Sequence, residues 1–300
     1  MKKKNTIKLL GVLGALVVIY LIVIFTGGKG RSDSFRSVLV ELDTAKISRV
    51  VISSPQATTE VTKTGSTWKV KVDDREKAAV AAVMHNLFST LETAKPSRLV
   101  ARSSDQWKDY TVDSAGTRYQ IFEGNSKRLD LIIGRFGVEG QRNFHTYVRL
   151  FDDDDVYLSE NFMGISLPKN QEDFRNGDVL RLKKDSLNQI TFNYPDSAFT
   201  VYNQGNQWAS PAFSVDSASI AKYIQTLGFV TSKSFVEGEE LTTPDINITF
   251  GFSNQPEIQV SAYRRQNAWI IQSSENTDEF FTDSDVWSKL FVGPSQLVGS

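Results

Sequence analysis

Cysteine is absent from this chain, and histidine occurs only as His85 and His145. The first absence excludes a disulfide scaffold, a thiolate zinc site, a thiol nucleophile and a bacterial lipoprotein anchor. The second leaves no helical metal pair, because no His, Asp or Glu stands four residues beyond His85. A nucleophile elbow, a P-loop, a Rossmann glycine pattern and a zinc-protease helix are also missing. Acidic residues are absent from the first 31 positions, which hold six of the 34 Lys and Arg. The rest of the chain therefore has a negative balance, which argues against a nucleic-acid partner, since phosphate binding needs a basic footprint. The shares of 40% apolar and 23% charged residues are those of ordinary globular material.

Charge is also lacking from Leu9 to Gly28, a run rich in Leu, Val and Ile. Twenty residues of helix span about 30 Å, the thickness of a hydrocarbon core. Lys2, Lys3, Lys4 and Lys8 precede it, which places the N-terminus in the cytoplasm and residues 32–300 in the periplasm or otherwise outside it. A cleaved signal has a shorter apolar core and a small-residue cleavage site. This run ends in Phe25-Thr26-Gly27-Gly28, so the reading is an uncleaved anchor in the inner (cytoplasmic) membrane.

Beyond the anchor, alternating strands dominate. Lys46–Ile52, Thr59–Thr64 and Trp68–Val72 have strand patterns, with Gly65-Ser-Thr as a hairpin turn. Asp73-Asp-Arg-Glu76 reads as a capped helix start, followed by Val80, Val83, Met84, Leu87 and Leu91 at helical spacing. A shift of 140 positions lays Leu187, Ile190, Phe192, Val201, Gly205 and Trp208 on Ile47, Val50, Ile52, Val61, Gly65 and Trp68. The predicted class is α+β: an N-terminal transmembrane helix, then two similar, duplicated units, each a mainly antiparallel sheet with one amphipathic helix. Their expected bounds are 1–31 for the tip and anchor, 32–168 for the first unit and 169–300 for the second.

Few residues point to chemistry. Gly134-Arg-Phe-Gly-Val-Glu-Gly140 reads as a hairpin connection, around which Arg135, Arg142 and His145 gather polar donors suited to a small anionic group. Asp152–Asp155 lacks the ligand alternation of a calcium loop and reads as a solvated hairpin tip, with Asp153 and Asp154 offering a surface to a basic partner or a weakly held calcium ion. No catalytic residue, no resident metal and no cofactor is expected. Trp68 and Trp208 start equivalent strands and read as repeated core anchors.

Three stretches resemble a bacterial family catalogued as domain of unknown function 4340. They are Ile47–Leu91 with Gly65-Ser-Thr-Trp68, Leu129–Gly134 with Tyr147-Val and Val156-Tyr157, and Asp173–Leu182 leading into Leu187–Phe192. The resemblance implies a single-pass envelope protein whose partners are transporter permease or auxiliary subunits linked to gliding motility; it supplies no catalytic residues. The expected function is a non-enzymatic accessory subunit of an ABC-type transport or gliding-related envelope complex. A cell-envelope polymer-binding module is the alternative, and a hydrolase with an unrecognised site, using His145 beside a carboxylate, is third.

Overall fold

A computed structural model describes residues 36–140, 143–205, 207–237, 241–266 and 268–298. In the first half, alternation of half-buried and buried side chains builds β1 (Arg49–Ser53), β2 (Thr58–Thr64), β3 (Thr67–Val72), β4 (Arg75–Ala78), β5 (Arg98–Ala101), β6 (Thr117–Glu123), β7 (Ser126–Glu139), β8 (Asn143–Leu150) and β9 (Val156–Glu160). They form one antiparallel sheet in the order β4-β3-β2-β1-β6-β7-β8-β9-β5. Val50, Ile52, Val61 and Val70 are fully buried on one face, and helix α1 (Ala81–Glu92) adds Met84, Leu87, Phe88 and Leu91. Trp68 joins this core, its ring 5.8 Å from that of Phe88.

The second half begins with β10 (Asp178–Arg181) and continues with β11 (Leu187–Tyr194), β12 (Ser197–Gln204), β13 (Gln207–Ala209), β14 (Phe229–Thr231), β15 (Phe235–Val236), β16 (Ile246–Phe252), β17 (Ile258–Arg265), β18 (Ala268–Ser273) and β19 (Asn276–Phe281). β10 pairs with β14, and the others make a sheet ordered β13-β12-β11-β16-β17-β18-β19-β15. That path retraces β3-β2-β1-β6-β7-β8-β9-β5 strand for strand. Registers repeat as well: Val50 faces Val61 and Ile121, while Ile190 faces Val201 and Phe250.

These findings overturn the α+β expectation. Among the described residues nineteen strands stand beside five α-helices, the longest of 12 residues. The fold is mostly antiparallel sheet, because each helix contributes only one apolar stripe to a core whose walls are strands. Among the described residues no helix is long and apolar enough to cross a membrane. The run Leu9–Gly28 lies outside the described residues.

Two local expectations fail for a shared reason, that strand pairing overrides a local motif. Asp73 has φ +50 and forms a turn with Asp74, which lets Arg75 pair back with Val72; α1 starts only at Ala81. The glycines of 134–137 lie within β7, which stays paired with β8 out to Glu139.

Asp130, buried on β7, accepts hydrogen bonds from Arg118 (2.6 and 2.7 Å), Gln120 (3.3 Å) and Lys127. Burial alone would raise its carboxyl, but these donors outweigh burial and hold it below the ordinary carboxylate value. A lowered folded value stabilises the protein above the unfolded carboxylate value, about 3.9, and that contribution disappears as pH falls through the folded value. Asp130→Asn is therefore expected to flatten the acid limb of stability below about pH 4. Urea midpoints at pH 7 and pH 3 test this; an unchanged acid limb contradicts it.

Candidate functional site

One corner of the first sheet collects polar side chains on a single face. Register places Gly137, His145 and Glu160 side by side on β7, β8 and β9. The next row inward along β8 contains Tyr147 and Leu158, with Arg98 on the edge strand β5. On the other side Glu139 faces Asn143. Period-two alternation keeps 143, 145 and 147 on one face, so these rows share one surface. Apart from Gly137 and Tyr147, these residues line a cleft of about 390 Å³ together with Ser97, Phe144 and Asn161.

The missing side chain at Gly137 makes room for the imidazole. A Cβ there would lie 2.6 Å from His145 Nε2. His145 is only 8% exposed, with its ring edge-on to Tyr147 at 5.2 Å. Its backbone is held in the ladder between β7 and β9, while its imidazole has no hydrogen-bond partner among the described residues. Ser97 Oγ accepts from the Glu160 backbone N–H at 3.1 Å, which ties the rim to the chain entering β5. Arg98, Glu139 and Glu160 are exposed and make no ion pair among the described residues.

The residues predicted from sequence divide. His145 lines the cleft, and Arg135 is exposed beside it, its guanidinium 5.5 Å from the Tyr147 ring centre. Arg142 lies outside the described residues. Asp153 and Asp154 are at the opposite end of β8, in the turn to β9. Sequence reasoning missed Arg149, which is 3% exposed and organises that turn. Its guanidinium donates to the carbonyls of Phe151 and Asp153 (both 2.9 Å) and of Val112 (3.1 Å), and lies 3.6 Å from the Trp107 ring centre. Burial lowers the Arg149 value, while Asp154 and Asp153 oppose the shift. The only signal in the sequence was its phase with His145 and Tyr147 along β8.

A second constellation, also missed, lies where the halves meet. The Arg175 side chain is 1% exposed and donates from Nε to Glu279 Oε1 at 3.0 Å and from Nη2 to Glu279 Oε2. It also pairs with Glu237 at 2.5 Å and lies over the Phe235 ring. Lys77 on β4 donates to the Asp278 carbonyl (2.7 Å) and pairs with Glu279 (3.4 Å). Next to it, Asn276 donates to the carbonyls of Asn176 and Asp178. Gly177 accepts from Ser232 N–H at 2.9 Å, and a Cβ at 177 would lie 2.3 Å from the Ser232 carbonyl oxygen. Backbone meets backbone there, so Gly177→Ala is expected to cost about 1–3 kcal/mol. A urea midpoint equal to that of the native protein would refute the close fit.

Among the described residues no group of three His, Asp or Glu is arranged to hold a metal ion. The family described as Domain of unknown function (DUF4340) matches residues 77–247, more than half of the chain. The chain belongs to the DUF4340 family. The DUF4340 region contains the whole His145 cleft and, of the ionic clasp around Arg175, Lys77, Arg175 and Glu237, but not Glu279. No curated protein and no solved structure matches the chain.

Proposed function

We propose that this DUF4340 protein is a non-enzymatic accessory subunit of a membrane assembly, of the ABC-type transport or gliding-related kind. In this reading the lysine-flanked apolar run near the N-terminus tethers it at the inner membrane, and residues 32–300 work outside the cytoplasm. One observation carries the non-enzymatic part. Asp173–Leu182, one of the three stretches behind the family likeness, is used in joining the two halves through Arg175, Asn176 and Gly177, and it lines no part of the His145 cleft. His145, for its part, has no hydrogen-bonded carboxylate or nucleophile among the described residues, which a general base of the triad kind requires. The membrane partner is supported by the family resemblance and the charge division of the N-terminus. Affinity purification of the full chain from gently solubilised membranes is the test. Recovery of permease or auxiliary subunits in fixed ratio is expected; recovery of this chain alone overturns the assignment.

A further inference from the structure

The His145 cleft is built more carefully than a surface hollow needs to be. An imidazole more than nine-tenths buried and without a hydrogen-bonding partner among the described residues lines it, seated over a glycine whose Cβ would displace it. Its nitrogens open to the cleft and are not taken up by protein partners, so they are available to hydrogen-bond whatever fills it. We propose that this cleft binds a short polyhydroxylated saccharide.

The distribution of charge selects that class. Glu139 and Glu160 flank His145, and Arg98 lies one row away, beside Leu158. A simple anion would meet two carboxylates, and a simple cation would meet the guanidinium. Sugar hydroxyls both donate and accept, so they match acceptors interleaved with donors: the two carboxylates against Arg98, His145 and the amides of Asn143 and Asn161. Leu158, opposite Tyr147 on the same face, supplies apolar surface for the C–H face of a ring. The volume, about 390 Å³, lies near the lower end of small-ligand sites, roughly 300–1,000 Å³, and suits about one or two sugar rings. Saccharide binding of this kind does not depend on any membrane partner.

Saturation-transfer NMR tests it on the purified full chain, in a detergent without a sugar headgroup. Cellobiose, maltose, chitobiose and N-acetylglucosaminyl-N-acetylmuramic acid are the probes, with L-lysine and inorganic phosphate as charged controls. At least one disaccharide is expected to bind, and its affinity is expected to fall at least tenfold in Glu160→Gln and Gly137→Ala. Glu160 is exposed, so the Gln variant keeps the fold, and an unchanged melting temperature confirms this. The proposal is overturned if no disaccharide binds, if both variants bind as the native protein does, or if lysine or phosphate alone shows binding that these variants abolish.

Discussion

Glu279→Gln is expected to lower folding stability by about 3 kcal/mol, near the bottom of the range of roughly 3–5 for breaking a buried ion pair. The cost arises on the partner left behind. Arg175 is 1% exposed and loses its bidentate carboxylate, retaining one neutral amide oxygen and the charge of Glu237, whose side chain is 28% exposed. Lys77 loses its nearer carboxylate too, keeping the Asp278 carbonyl and Glu237 at 4.0 Å. The double variant Arg175→Met, Glu279→Leu removes the two most buried charges together, leaving Glu237 and Lys77 to pair with each other at 4.0 Å, and is expected to be more stable than Glu279→Gln alone. Urea unfolding of both variants decides the matter. A Glu279→Gln loss under 1 kcal/mol would show that the clasp does not hold the halves together.

Phe192→Ala is expected to cost about 3–5 kcal/mol. Phe192 is fully buried on β11, its ring stacked on Phe199 at 4.5 Å and lying 6.0 Å from Tyr223 and 6.3 Å from Tyr194. Truncation removes the apolar area and opens a cavity bounded by rings whose positions are restricted. Tyr194 and Tyr223 donate to the carbonyls of Val292 and Leu290, which keeps them from collapsing into the space. Burial pushes both phenols above their ordinary value, most strongly Tyr223. A measured loss below about 1.5 kcal/mol would mean that the second core repacks freely, contrary to this account.

Strands were the most legible part of the fold. Val50, Ile52, Val61, Trp68 and Val70 announce their buried face by period-two alternation, a local property that pairing only completes. Helix starts were less legible. Asp73-Asp-Arg-Glu76 carries a capping pattern, yet Arg75 and Glu76 pair with β3 as the start of β4, and Asp73-Asp74 becomes the turn between them. The acidic run at 152–155 read as a hairpin tip, and a tip it is; the buried Arg149 that shapes it was not legible, because its carbonyl partners are defined by the bend itself.

By itself, the sequence determined which chemistry is impossible here and where the chain alternates. Without cysteine there is no thiolate chemistry, and with two isolated histidines no helical metal pair. Tertiary structure alone decided what His145 and Arg175 do. Arg175 and Glu279 are 104 positions apart, and no periodicity links them. His145 meets Gly137 and Glu160 only through the register of three strands, which a slip of one residue would turn to the opposite face. Local periodicity marks a buried face, whereas a site forms where pairing brings distant side chains onto one surface.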